Sequence, residues 1–282
     1  MRYGMMGAVA AAIVLSGCAN SGGGDVSRAF DGVNVIDESN LNDIMLTVAD
    51  PSEAVSYFSR ASSENPDRID LKRGLAVSLV RAGDAPTSLP VWDQVVSSDE
   101  GTNDDRVDYA DALIRSGKWD EAKTQLDAIP PTHETFKRYR LEAMVADSER
   151  DWDRADSFYE IAAGLTNRPA GVLNNWGYSK LTRGDFAEAE EMFVRSIGYD
   201  PDIFTAKNNL VLARGAQRNY QIPNVPVTQI EKAQLLHTLA LSAVKQGDVA
   251  TGKSLLREAI DTHPQHFDAA VRTLRTLENS GA

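Results

Sequence analysis

The chain has 282 residues, with 29 basic and 41 acidic side chains, a net charge of −12 and a single cysteine. An acidic chain without a basic cluster lacks the electrostatic grip needed for nucleic acid or for anionic lipid headgroups. One thiol excludes an intramolecular disulfide and a cysteine-built metal site.

At the start, Arg2 precedes an apolar run from Met5 to Leu15. The run is far below the ~20 residues of a spanning helix. Its order of basic, apolar and small residues marks residues 1–17 as a signal peptide. It closes on Leu15-Ser16-Gly17-Cys18, which resembles the bacterial lipobox. The resemblance implies that Cys18 becomes the first mature residue and carries lipid on its sulfur. A single acyl chain holds only marginally, whereas two or three give stable anchoring. Ala19 resembles an outer-membrane sorting signal, so the expected location is the periplasmic face of the outer membrane, with the inner membrane as the alternative. Asn20-Ser21-Gly22-Gly23-Gly24-Asp25 cannot bury apolar surface, so residues 18–34 read as the lipidated cysteine and a flexible tether.

From residue 35 onward the chain is periodic. Ala54, Ser88, Ala122, Ala155 and Ala189 recur at steps of 34, 34, 33 and 34. Four residues after each stands a large side chain: Phe58, Trp92, Leu126, Tyr159 and Phe193. Turn signals precede most of them, at Gly83-Asp84, Gly117-Lys118, Arg150-Asp151 and Gly184-Asp185. The pattern returns at Gly247-Asp248, Gly252, Leu256 and Pro264. Apolar spacing near 3.6 predicts two amphipathic helices of about 12 to 14 residues in each unit. Small residues at Ala76, Ala110, Ala143, Gly177 and Ala240 are the expected points of close approach on the first helices. One unit departs from the pattern. Phe204 to Asn219 reads as a first helix, but Pro223 and Pro226 forbid a continuous helix after it, so an irregular connector is expected near 219–228. His266 to Leu277 reads as a capping helix.

These features resemble the tetratricopeptide repeat family, best in Ala170 to Ile203, with Trp176-Gly177, Gly184-Asp185-Phe186, Ala189, Phe193 and Pro201. Lys180 stands where that family usually has an aromatic. The resemblance implies an all-α fold over residues 35–282: a right-handed superhelical solenoid of about six to seven helix-turn-helix repeats with a C-terminal capping helix. It also implies a concave surface lined by the first helices. Projecting the family's register gives one inward ladder of Arg73, Val107, Arg140, Asn174, Asn208 and His237. One turn on, a second ladder runs Val77, Asp111, Met144, Tyr178, Leu212 and Leu241. The expected protein-binding residues are Arg73, Arg140, Met144, Asn174, Tyr178, Asn208 and His237. Their guanidinium and amide donors suit a peptide backbone or a carboxylate, and a solvated polar face is the alternative. Trp92, Trp119, Trp152 and Trp176 are assigned to packing. His263 and His266 lie three apart without a third metal ligand. No phosphate loop, nucleophile elbow or helical zinc motif is present, and no catalytic residue, cofactor or small-molecule substrate is expected.

The stretches Asn208 to Ala213, Ile222 to Pro226, Ala233 to His237 and Glu258 to Phe267 resemble TadD-type lipoproteins of the tight-adherence (Flp) pilus assembly system. That resemblance implies a non-enzymatic scaffold assisting assembly or placement of the outer-membrane secretin, with the secretin or another pilus component as partner. Two alternatives stand beside it: a repeat lipoprotein serving outer-membrane protein insertion or cell-wall enzymes, and an enzyme with an unrecognised site.

Overall fold

The structure, a computed structural model, describes residues 41–279. The expected signal peptide (1–17), Cys18 and the tether (18–34) lie outside the described residues. Within them all regular structure is helical. A stretch at 41–47 (α1) is followed by α2 (Pro51–Glu64), α3 (Ile69–Arg81), α4 (Ala85–Val96), α5 (Asn103–Arg115), α6 (Trp119–Asp127) and α7 (Phe136–Glu149). Then come α8 (Trp152–Gly164), α9 (Ala170–Arg183), α10 (Phe186–Tyr199), α11 (Phe204–Ala216), α12 (Gln229–Lys245), α13 (Val249–Thr262) and α14 (Asp268–Asn279).

The hairpins α3–α4, α5–α6, α7–α8, α9–α10 and α12–α13 share one turn chemistry. The first helix ends on a residue at positive φ: Gly83 at 82°, Gly117 at 74°, Gly184 at 94° and Gly247 at 84°. In the third hairpin Arg150 takes the same slot at 61°. The next amide then folds back five residues to a carbonyl of the helix's last turn. Asp84 donates to Leu79, Lys118 to Leu113, Asp151 to Ala146, Asp185 to Lys180 and Asp248 to Ala243, each at 2.9 Å. This satisfies carbonyls that the helix end leaves bare. Asp84, Asp151 and Asp248 also cap the following helix, accepting from the backbone N–H of Thr87, Arg154 and Thr251. A Gly-Asp pair therefore stops one helix and starts the next, which sets the hairpin angle locally.

The periodic small and large residues form the core. Ala54, Ser88, Ala122, Ala155 and Ala189 have no exposed surface, and Phe58, Trp92, Leu126, Tyr159 and Phe193 are at most 2% exposed. Close approach is real at Gly177, where an added Cβ would lie 2.7 Å from the Phe193 ring. The irregular unit is sealed without a second helix. After a turn at 217–218 the chain runs on to 228 without helix. Val225 packs against the α10–α11 core, while Tyr220, Ile222 and Val227 pack against that of α12 and α13. The connector thus supplies apolar cover where the missing helix would sit. At the C-terminal end α14 closes the stack with Ala270 buried and Leu274 and Leu277 packed inward. The chain is an all-α solenoid of stacked helical hairpins ending in a capping helix.

Candidate functional site on the concave face

The two inward ladders do different things. The first is mostly a seam joining successive first helices. Arg73 on α3 donates to Asp105 on α5, with Nη2 2.9 Å from Oδ2. Asn209 on α11 donates to the Asn174 Oδ1 on α9 at 3.1 Å. Thr238 on α12 donates to the Asn208 Oδ1 at 2.8 Å. His237 lies 3.5 Å from the Thr273 hydroxyl on α14 and 5.4 Å, centroid to centroid, from Phe267; burial pushes its pKa down. Val107 is buried. Arg140 breaks the series, its Nε buried without a hydrogen-bond partner. Arg73, Asn208 and His237 are therefore engaged between repeats.

The second ladder lines open space. Val77 and Asp111 border a cavity of about 320 Å³, in which Lys137 pairs with Asp108 and Arg115 lies 3.2 Å from Asp111. Met144 and Tyr178 border a cleft of about 510 Å³. Tyr178, Leu212 and Leu241 border a third cavity of about 660 Å³. Tyr178 and Thr182 belong to both of the last two, so these form one groove. Tyr178 is 54% exposed at their junction and Leu241 is 45% exposed beyond it. Of the expected binding residues, Met144, Asn174 and Tyr178 come together in the central cleft.

That cleft opens between α7 and α9. Asp147 of α7 accepts from the Ser179 hydroxyl at 2.6 Å and from the Tyr159 hydroxyl at 2.8 Å. Burial raises its pKa, against the pull of those two donors. Burial also raises the Tyr159 phenol, and Asp147 adds to the shift. Trp119 and Trp152 form part of the wall. The repeat pattern assigns both tryptophans to packing, and Asp147 falls on neither inward ladder. The available signal was a tryptophan just after the turn in two successive units, a position where the hairpin end meets the groove.

Behind Trp152 lies a charged network. Asp156 accepts from Trp176 Nε1 at 2.6 Å, from Arg183 Nη2 at 2.6 Å and from Lys180 Nζ at 3.3 Å. Lys180, in the slot usually aromatic, also reaches Glu188 at 2.5 Å. No group of three or more His, Cys, Asp or Glu side chains able to hold a metal occurs among the described residues. None of the described helices is long and apolar enough to cross a membrane.

Stacked hairpins with this small-and-large repeat define a tetratricopeptide-type solenoid. The tetratricopeptide repeat family pattern matches residues 234–266, from α12 through α13. No curated protein sequence matches the chain. Among solved structures it is similar to a chain of the APC/C hetero-tetramer Cut9-Hcn1, at 13% identity and a TM-score of 0.62, covering 90% of this chain and 52% of that one. This chain thus spans about half the length of that relative. It is also similar to a tetratricopeptide repeat protein from Parabacteroides merdae, at 11% identity and a TM-score of 0.55, covering 90% of this chain and 97% of that one. A third is TTC0263, a thermophilic TPR protein of Thermus thermophilus, at 15% identity and a TM-score of 0.53, covering 62% of this chain and 95% of that one. At these identities the likeness is one of fold.

Proposed function

We propose that this protein is a membrane-tethered, non-catalytic scaffold that holds an extended segment of a partner protein along the concave face of its solenoid. The observation that carries this reading is the groove through Met144, Tyr178, Leu212 and Leu241, where large side chains stay exposed on a face that repeat stacking leaves open. Neighbouring amides on Asn174 and Asn175 can meet backbone donors and acceptors of such a segment. The tether rests on the lipobox-like Leu15-Ser16-Gly17-Cys18 and the following Ala19, which favour the outer membrane. The resemblance to TadD-type lipoproteins makes the secretin of a tight-adherence pilus the partner to test first. A scaffold for outer-membrane protein insertion or cell-wall enzymes is the competing assignment.

The test is capture of the secretin by the immobilised chain and by a Tyr178→Ala/Leu241→Ala variant. Both side chains are largely exposed, so helicity and Tm should hold while capture falls. Undiminished capture by the folded variant removes the groove from the mechanism. Capture of outer-membrane insertion or cell-wall proteins in place of the secretin shifts the assignment to the competitor. A Cys18→Ser variant should leave the membrane fraction; its retention there overturns the lipid tether.

A further inference from the structure

Resting on the groove reading above, we propose that the central cleft selects its partner segment through a basic side chain, an arginine or lysine lying against Trp119 and Tyr178 with its charge directed at Asp147.

The chain shows what such a site looks like when filled. Immediately behind the cleft, Lys180 sits 5.6 Å from the Trp176 ring centroid and within 3.3 Å of Asp156. Arg183 sits 5.7 Å from the Trp152 ring centroid and 2.6 Å from the same carboxylate. Each is an aromatic face, a cation and a carboxylate in one cluster, an arrangement favoured by the ring quadrupole and strengthened where water is excluded. The cleft repeats the first and last of these parts, with Trp119, Trp152 and Tyr178 as aromatics and Asp147 as carboxylate, and no lysine or arginine lines it. Each Asp147 oxygen takes one hydroxyl bond, and a carboxylate oxygen can accept more than one.

The nearest cations are otherwise placed. Arg183 lies near enough for its charge to favour ionised Asp147, but it bonds to Asp156 and Asp185 and does not line the cleft. Arg140, seven residues before Asp147 on α7, does not line the cleft. A carboxylate ligand would meet Asp147 as the sole charged group in the lining. The chain's net charge of −12 favours approach of a basic segment at long range. Beyond Tyr178 the groove is walled by Leu181, Leu212 and Leu241, with Lys245 as its charged group, so the matching segment carries its basic side chain at the Asp147 end and apolar ones beyond it.

The experiment is a tryptophan-fluorescence titration of the purified chain with three blocked peptides, acetyl-Gly-Xaa-Gly-Leu-Gly-Leu-Gly-amide, where Xaa is arginine, its neutral isostere citrulline, or glutamate. The arginine peptide should bind about 10-fold more tightly than the citrulline peptide, and the glutamate peptide most weakly. Asp147→Asn should bring the arginine and citrulline affinities to within about 2-fold. Tyr178→Leu, at an exposed position, should narrow the same gap and guards against loss of fold in the first variant. Equal binding of the arginine and citrulline peptides, or tighter binding of the glutamate peptide, overturns the basic-side-chain selection while leaving the groove as a peptide site. Failure of all three to bind at millimolar concentration overturns the groove reading and this inference with it.

Discussion

Arg73 and Asp105, on successive first helices, are joined by a two-point ion pair, Nε to Oδ1 at 2.5 Å and Nη2 to Oδ2 at 2.9 Å. The same carboxylate takes the Thr102 backbone N–H at 2.9 Å and its hydroxyl at 2.8 Å, completing the capping box that starts α5. One 2% exposed side chain therefore both starts a helix and clamps it to its neighbour. This is the seam of the first ladder at its strongest.

The pair sets an acid limit on stability. Burial penalises the Asp105 charge, but the Arg73 and Thr102 bonds outweigh it and hold the pKa below the ordinary value. A depressed carboxyl contributes stability above the unfolded pKa of about 4, and that stability is lost as pH falls through the folded value. Asp105→Ala leaves Arg73 unpaired and α5 without its box, so a cost of about 3 kcal/mol is expected at pH 7. The gap to the parent should shrink near pH 3, read by urea unfolding at the two pH values.

Arg150 holds the hairpin turn that glycine holds in the other four. A side chain in the left-handed region costs about 1–2 kcal/mol, and Arg150, at a φ of 61°, makes the same backbone bonds in its turn as the glycines do in theirs. Arg150→Gly should raise stability by about 1 kcal/mol, because relief of strain exceeds the greater freedom of glycine in the unfolded chain. The gain should appear as a shift of the urea midpoint with an unchanged slope.

His237 gives a second pH signature. Burial against the capping helix lowers its pKa, so between the folded value and about 6.5 the unfolded chain binds the extra proton. Stability must then rise with pH through that window and fall again on acidification. His237→Gln should flatten this part of the profile while leaving the acid transition of Asp105 in place. Thermal unfolding at half-unit steps of pH resolves the two.

The period was legible because close packing of hairpins imposes a small residue and a large one four apart, and Ala155 with Tyr159 or Ala189 with Phe193 satisfy that demand wherever they occur. The turn was legible for the same kind of reason, since only a positive φ permits the return bond to the carbonyl five residues back. The ladder was legible as a set of inward positions but not by role. Whether Arg73 or Asn174 faces a groove or a neighbour depends on a residue 32 or 35 positions away, Asp105 or Asn209. The cleft was the least legible, because its lining is gathered from α6, α7, α8, α9 and α11, and Trp119 serves as packing on one side and wall on the other.

Lys180 shows how one departure from the repeat's usual composition organises its surroundings. Its side chain is 6% exposed and that of Arg183 is 10% exposed. Two cations at that depth need counter-charge, and Asp156 supplies it to both, with Glu188 on Lys180 and Asp185 on Arg183, although Arg183 Nη1 is left without a hydrogen-bond partner. Burial tends to raise the Asp156 pKa, but the Arg183 and Trp176 bonds, with the Lys180 charge, bring it below the ordinary value. Asp156→Ala should therefore cost about 3 kcal/mol at neutral pH, since it leaves Lys180 with Glu188 alone, Arg183 with Asp185 alone and the Trp176 N–H without its acceptor. Adding Lys180→Met should recover part of that loss by removing a buried charge left with one partner and placing an apolar body over Trp176. A double-mutant cycle by urea unfolding measures the recovery as coupling. Strictly additive losses would show that Lys180 and Asp156 act independently, and that the buried lysine is held by Glu188 alone.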